Sequence, residues 1–179
     1  MAVTGIFGGR FDPPHLGHLA LARAAIEQLG LDDLHVTVIA DAAHKKAEAA
    51  PEHRLAMAEL TFAGLAATIE LEGHRYTVDA LEAYGYEDPY FLIGADQLRD
   101  LPTWKEPDRV LELARLGVAA RPGYDLETSS PRIVVFDVEP HAISSSEIRA
   151  RVRRGEPIDG LVLPAVAAYV AENRLYRAD

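Results

Sequence analysis

Short apolar runs alternate with amphipathic segments along the whole chain. The apolar runs, several of them rich in β-branched residues, predict buried strands at residues 3–7, 34–40, 68–71, 89–94, 116–120 and 132–138. Segments of helix-forming composition predict helices at 15–29, 51–62, 76–84, 95–98, 107–114, 144–154 and 164–173, with Thr77 capping the third. This alternation predicts an α/β fold, a Rossmann-like doubly wound, mainly parallel sheet with helices on both faces.

Length and composition narrow the class of protein. The 179 residues favour one domain, 1–179, and the absence of cysteine excludes disulfides, thiolate catalysis and cysteine-ligated zinc. No leader-like segment precedes the first strand and no apolar run reaches about 20 residues, so we expect a cytoplasmic protein without a membrane span.

Charge is distributed unevenly along the chain. The formal net charge of −10 argues against broad binding to nucleic acid or anionic membranes. Basic residues nevertheless lie in or beside the candidate segments described below: Arg10, Lys45, Lys46, Arg149, Arg151, Arg153 and Arg154. Local positive charge on an acidic protein favours a small anionic ligand over a polymer.

The first strand-to-helix turn carries the strongest candidate chemistry. Gly8 and Gly9 end the strand, and His15 and His18 lie one helical turn apart where the helix begins. Such a turn offers free backbone N–H groups to a phosphate, and glycines allow its close approach. Since the dinucleotide and phosphate-loop fingerprints are absent, histidines and amides would hold the phosphate. In the alternative interpretation, one histidine caps the helix and the other packs.

Residues 143–149 form a second candidate segment after the last predicted strand. Ser144, Ser145 and Arg149 would bind phosphate if this helix starts at the same sheet edge as the first. The alternative is a serine N-cap, a carboxylate of Glu147 that complements the helix dipole, and a solvated arginine.

Two further positions have open interpretations. Asp96, just after the strand that ends in Gly94, is suited either to a ribose hydroxyl or to a helix N-cap. Trp104, the single tryptophan, belongs either to the core or to a platform that stacks on a flat ring.

These segments resemble a known family. Residues 5–18, with His15, Gly17 and His18, look like the signature of the nucleotidyltransferase superfamily, in which a His-x-Gly-His motif binds ATP phosphates, and residues 143–149 are similar to its second motif. Residues 75–81, 91–104 and 163–176 resemble nicotinate-nucleotide adenylyltransferases of bacterial NAD biosynthesis. The likeness runs in order over nearly the whole chain.

The resemblance implies adenylyl transfer from ATP to nicotinate mononucleotide, which yields deamido-NAD and pyrophosphate. It implies catalytic roles for His15, His18 and Arg149, ATP contacts for Gly8, Gly9, Arg10, Phe11, Gly94, Asp96, Ile143, Ser144 and Ser145, and nicotinate-nucleotide contacts for His44, Lys45, Thr77 and Trp104. Mg²⁺ would arrive on the ATP phosphates, so no protein metal site is expected. The expected partners are these small molecules, with neither nucleic acid nor membrane; a homo-oligomer stays open.

Three departures from the family pattern concern the acceptor half. Arg10 replaces a small hydroxyl residue, residues 42–46 lack the usual prolines, and Arg75 stands where serine is common. The alternatives are therefore the same chemistry on nicotinamide mononucleotide or phosphopantetheine, a nucleotide-binding protein without catalysis, and an interaction domain whose histidines only cap a helix.

Overall fold

A single parallel sheet forms the centre of the molecule. The computed structural model describes residues 2–40, 47–121, 123 and 130–178. Within these ranges six strands pair in the order β3-β2-β1-β4-β5-β6, and every pairing is parallel. The strands are β1 (Thr4–Gly9), β2 (Asp33–Ile39), β3 (Ala67–Glu72), β4 (Tyr90–Gly94), β5 (Arg115–Ala120) and β6 (Ile133–Asp137). The predicted doubly wound α/β fold is confirmed.

Helices cover both faces of the sheet. They are α1 (Leu16–Leu29), α2 (Pro51–Phe62), α3 (Thr77–Tyr84), α4 (Ala95–Asp100), α5 (Pro107–Leu113), α6 (Ser145–Arg153) and α7 (Pro164–Glu172). Adjacent residues of a strand point to opposite faces. Phe7 of β1 accordingly lies in a core cluster with α1 and α2, whereas Ile6 lies in a second cluster with α3 and α5. Burial on both sides explains why inner strands such as β2 are nearly continuous apolar runs, whereas the edge strand β3 is mostly exposed or half-buried and contains two glutamates.

The two C-terminal helices pack beside the sheet. Ile148 of α6 and Val166 and Val170 of α7 form a third cluster with Met57 of α2 and Tyr176. The chain's last segment is therefore held against the loops that leave β1 and β2. That residues 1–179 make one domain stays a prediction.

Element ends differ from the sequence prediction where pairing or capping decides them. β1 continues through Gly8 and Gly9 because both residues pair with β2. The assignment of Thr77 as a helix cap was wrong: Tyr76 occupies the N-cap position with extended backbone, and Thr77 is the first helical residue. No helix among the described residues has the length and apolarity needed to cross a bilayer.

The strand order reverses its direction between β1 and β4. β1 pairs with β2 on one side and β4 on the other, so the chain direction across the sheet reverses there. In doubly wound sheets ligands bind beyond the carboxyl ends of the strands at this reversal. The loop that leaves Gly9 and the helix that follows Gly94 both start at this edge.

Candidate active site

His15 and His18 form a fixed pair at the start of α1. His15 is the N-cap, and its Nδ1 accepts a hydrogen bond of 3.1 Å from the Gly17 backbone N–H. The His15 backbone N–H donates to Nδ1 of His18 at 3.1 Å. The two rings stack with centroids 3.8 Å apart. His15 thus caps the helix, as the alternative interpretation proposed, and capping is also what fixes the direction of both imidazoles.

Both imidazoles are neutral at physiological pH. Burial, followed by the charge of His141, lowers the pKa of His15 from 6.5 to about 4. Burial, followed by the charge of His15, lowers the pKa of His18 well below its ordinary value. Since each Nδ1 accepts a backbone N–H, the single ring proton lies on Nε2. The pair therefore offers two neutral Nε2–H donors.

Phe11 supports this pair from beneath. Its ring is 2% exposed and meets the His18 ring edge-on, with centroids 5.1 Å apart. A Cβ on Gly9 would come within 2.8 Å of the Phe11 ring, so the position requires glycine. Of the predicted ATP contacts, Phe11 can accordingly supply only its backbone, since its side chain belongs to the core.

The second motif is bonded directly to the first. The Ser145 hydroxyl donates to the Pro13 carbonyl at 2.8 Å, and Nη1 of Arg149 donates to the Asp12 carbonyl at 2.8 Å. Ser144 is the N-cap of α6, where its hydroxyl accepts from the Glu147 backbone N–H at 3.1 Å. The structure thus brings together two segments that are more than 130 residues apart in sequence.

Asp12 organises this loop, a role that sequence reasoning missed. The Asp12 side chain is buried, and its carboxylate accepts from the backbone N–H of Glu48 at 2.8 Å, the backbone N–H of Ala49 at 3.1 Å and the Tyr176 hydroxyl at 2.8 Å. Burial and the neighbouring Asp12 carboxylate raise the pKa of the Tyr176 phenol. Asp12 lies within residues 5–18, the segment that resembles the superfamily signature, but the three donors to its carboxylate lie far along the chain.

Arg54 of α2, also missed, joins the carboxyl ends of two strands. The residue is 1% exposed, and its guanidinium donates to four carbonyls, those of Arg10, Ile39, Ala40 and Ala49, at 2.7 to 3.1 Å. Burial lowers the pKa of Arg54. An arginine in an amphipathic helix gives no local sign of such a role. The backbone carbonyl of Arg10, a predicted ATP contact, is one of these four acceptors.

A cleft of ≈ 280 Å³ opens in front of the histidine pair. His15, Gly17 and His18 form one wall, and the end of β5 and the segment 138–143, which includes Ile143, form the other. His141, which sequence reasoning did not single out, lines the same cleft. Its Cβ would lie 3.6 Å from a Cβ placed on Gly17.

Gly94 and Asp96 lie at the end of β4 and outside that cleft's lining. A Cβ on Gly94 would meet no atom within 4 Å, so the backbone faces open space. The N-cap interpretation of Asp96 was wrong, because Gly94 is the N-cap of α4 and its backbone N–H donates to Oε1 of Gln97 at 3.1 Å. The Asp96 carboxylate is exposed and pairs with Arg99.

On the β2 side of the reversal lies a smaller cavity of ≈ 70 Å³. Its walls include Gly8 and Thr77, together with Arg75, and the buried Tyr84 hydroxyl at this cavity has no hydrogen-bond partner in the described part of the chain. Trp104 is not among the residues that line this cavity, but its ring meets that of the lining residue Phe91 edge-on, with centroids 6.1 Å apart. The predicted residues His44 and Lys45 lie outside the described ranges.

Metal-ligating side chains do not converge in the described residues. Within 2–40, 47–121, 123 and 130–178, no group of three or more His, Asp or Glu side chains is arranged to hold an ion. Both Asp12 oxygens already accept N–H or O–H donors. The site instead gathers N–H and guanidinium donors, which suit phosphate.

Comparison with known proteins gives the class first. The model of the cytidylyltransferase-like family matches residues 6–151, most of the chain and both phosphate segments. The fold and the site together therefore define a nucleotidyltransferase of the cytidylyltransferase-like class.

Individual relatives narrow the class. A Bacillus licheniformis protein with the name "probable nicotinate-nucleotide adenylyltransferase" is 37% identical over 98% of this chain and 99% of its own. A Thermus thermophilus protein with the same name is 40% identical over 97% and 98%. The chain belongs to the nicotinate-nucleotide adenylyltransferase family. A Plasmodium falciparum nicotinic acid mononucleotide adenylyltransferase solved with NaAD shares the fold, with a TM-score of 0.80 at 19% identity over 98% of each chain.

Proposed function

We propose that the protein transfers the adenylyl group of ATP to nicotinate mononucleotide. The 5′-phosphate of the mononucleotide attacks the α-phosphorus of ATP, the bond to the bridging oxygen breaks, and deamido-NAD and pyrophosphate form. The family relationship at about 40% identity over nearly the whole chain supports this assignment. The residue roles below are proposals that rest on the geometry of the site.

One observation carries the residue assignments: the two phosphate motifs are bonded to each other. Ser145 and Arg149 of the second motif donate to the Pro13 and Asp12 carbonyls of the first. These bonds tie the start of α6 to the loop that leads into the histidine pair, although Arg149 is not among the residues that line the cleft in front of those histidines. We assign the arginine and the histidine donors to different parts of the same triphosphate.

The chemistry requires alignment and charge stabilisation more than proton transfer. The attacking phosphate is already an anion, so no general base is needed. Negative charge grows on the oxygen between the α- and β-phosphorus atoms as the bond to it breaks. The Nε2–H groups of His15 and His18 would donate to oxygens of this part of the triphosphate, and Arg149 would hold the departing pyrophosphate.

Neutral imidazoles suit this role. The lowered pKa values of His15 and His18 mean that each ring is neutral and carries its single proton on Nε2, where it can donate. The fixed Nε2–H tautomer means that no reorientation is needed as charge develops, which is the condition for electrostatic preorganisation.

Mg²⁺ fits this site as part of the substrate. The donor set is rich in N–H groups and poor in available carboxylates, so the ion would be held by phosphate oxygens and water. Bound there, it would neutralise charge on the triphosphate. The chain's own residues would then orient the nucleotide and exclude water.

The acceptor would occupy the β2 side of the sheet reversal. Thr77 lines the small cavity together with Gly8, and Trp104 contacts Phe91, another residue of that lining. Gly94, with open space at its α-carbon, would approach the adenosine ribose together with Asp96. The expected cytoplasmic location and the oligomeric state stay predictions.

The direct test measures pyrophosphate release from ATP and Mg²⁺ with nicotinate mononucleotide and nicotinamide mononucleotide as parallel acceptors. We expect strong preference for the acid, with phosphopantetheine inactive. Turnover with neither pyridine nucleotide, in a protein that binds ATP, would contradict the acceptor assignment and leave the class intact.

The mechanism has its own test in His18→Ala. Loss of one preorganised donor should reduce kcat by about a hundredfold or more while the fold persists. His53→Ala is the matched control, because His53 lies on α2 and bonds the Tyr169 hydroxyl at 2.9 Å. A His18→Ala variant as active as this control would refute the role of His18.

A further inference from the structure

Glu48 places a carboxylate on the arginine that the proposed function assigns to phosphate. Its Oε1 accepts from Nε of Arg149 at 2.9 Å, and its other oxygen accepts from Arg153, one turn further along α6. The resemblance assigned no role to Glu48 or to Arg153.

The main chain holds this carboxylate in place. The backbone N–H of Glu48 donates to the buried Asp12 carboxylate at 2.8 Å, so the residue is attached to the same loop that carries the histidine pair. The Arg149 side chain is 13% exposed, and its Nη1 donates to the Asp12 carbonyl. Its Nη2 lies 3.4 Å from the Ser146 hydroxyl. Each Arg149 nitrogen therefore has a partner before any nucleotide arrives.

The two acidic neighbours of Arg149 differ in how easily they can leave. Asp12 is fully buried and accepts three hydrogen bonds, so its displacement would strand a charge. The Glu48 side chain is 38% exposed, and the two arginines are its hydrogen-bond partners among the described residues. Although its partial burial acts in the opposite direction, the hydrogen bonds from Arg153 and Arg149 lower the pKa of Glu48. Glu48 is thus a charged side chain that can rotate away from the arginines into solvent.

A carboxylate and a polyphosphate cannot share Arg149 without repulsion. Two anions a few ångströms apart in a partly desolvated site repel by an amount that changes affinity severalfold. We propose that Glu48 sets the affinity for ATP by competing with the triphosphate for Arg149 and Arg153. In the free protein the single negative charge of Glu48 offsets part of the positive charge of the two arginines, and in the complex the triphosphate replaces it. This inference rests on the proposed function of the site.

The first experiment measures ATP binding by isothermal titration calorimetry for the wild type and for Glu48→Gln. Glutamine keeps the shape and an oxygen acceptor for Arg149 but removes the charge. We expect roughly tenfold tighter binding by the variant at low ionic strength, with a ratio that shrinks as salt rises.

Glu156→Gln is the matched control. Glu156 accepts from Arg154 at 2.7 and 2.9 Å, a similar ion pair just beyond the end of α6 that does not contact the β1–α1 loop. The Glu156→Gln variant should bind ATP with the same affinity as the wild type. Unchanged or weaker binding by Glu48→Gln would overturn the competition, and weaker binding would indicate that Glu48 instead positions Arg149.

A second experiment follows Glu48 in the wild-type protein and uses the variant only to assign its resonance. The carboxyl ¹³C resonance of Glu48 is titrated with and without ATP, and a spectrum of Glu48→Gln assigns it. Competition predicts that the pKa of Glu48 rises towards its ordinary value when ATP takes the arginines. An unchanged pKa in the complex would overturn the proposal. Wild-type protein that binds no ATP and forms no deamido-NAD would refute the proposed function itself, a result distinct from either outcome above.

Discussion

Replacement of His15 by asparagine should make the protein more resistant to acid. Folding lowers the pKa of His15 from 6.5 to about 4, because the ring is buried and close to His141. Between these pH values His15 is protonated in the unfolded chain but stays neutral in the folded protein. Titration of His15 therefore does not change the free energy of unfolding above pH 6.5, and it lowers that free energy progressively as the pH falls from 6.5 towards 4.

The magnitude follows from the two pKa values. At pH 5 the unfolded histidine is almost fully protonated and the folded one is mostly neutral, so the group lowers the free energy of unfolding by about 2 kcal/mol relative to pH 8. Asparagine does not titrate and is among the best N-cap residues. The His15→Asn variant should keep the helix start that His15 now caps through the Gly17 N–H.

The assay is urea unfolding of the wild type and His15→Asn at pH 8 and pH 5. Each protein's loss of stability between the two pH values is compared, so that any constant effect of the substitution cancels. The wild type should lose about 2 kcal/mol more than the variant. An NMR titration of His15 provides an independent check. Equal losses, or a His15 resonance that titrates near pH 6.5 in the folded protein, would refute the account of a buried neutral pair.

Three further substitutions test other parts of the site. Arg54→Lys should lower the free energy of unfolding by about 3 kcal/mol, since one ammonium cannot reach the four carbonyls that Arg54 now bonds. Gly94→Ala should cost less than about 1 kcal/mol of stability yet raise KM for ATP roughly fivefold, because its Cβ enters open space where we place the ribose. Trp104→Ala should raise KM for the pyridine nucleotide roughly three- to tenfold and leave KM for ATP nearly unchanged.

Each of these has a control and a result that contradicts it. Arg23 is exposed, so Arg23→Lys should leave the free energy of unfolding in urea unchanged. If the unfolding curve of Arg54→Lys matched that of Arg23→Lys, the hydrogen bonds from Arg54 to the four carbonyls would not be needed for stability. Gly117→Ala should destabilise the fold, because its Cβ would come within 2.8 Å of Leu92 and 2.9 Å of Leu29. An unchanged KM for ATP in Gly94→Ala would show that the ribose does not bind beside Gly94. A change confined to ATP in Trp104→Ala would mean that our division of the site is incorrect.

The regular elements could be predicted from the chain because each has a local cause. Continuous apolar runs predict strands that are covered on both faces, and Gly30 ends α1 in the left-handed conformation that only glycine adopts without strain. Errors occurred at element ends, where long-range strand pairing or the local backbone at a helix cap decides. Gly8 and Gly9 belong to β1 because β2 bonds to them, and Thr77 is the first residue of α3 because the backbone of Tyr76, the N-cap, is extended.

The sequence by itself determined the fold class and which residue types could handle phosphate, since these follow from periodicity and from the chemistry of histidine, serine and arginine in two short segments. Only the tertiary structure decided how they act together. It bonded Arg149 to the Asp12 carbonyl, brought Glu48 onto the same guanidinium and buried the histidine pair until both rings became neutral donors. The physical reason is that hydrogen bonds and desolvation depend on neighbours in space, and the hydrogen-bond partners of residue 12 are residues 48, 49, 149 and 176.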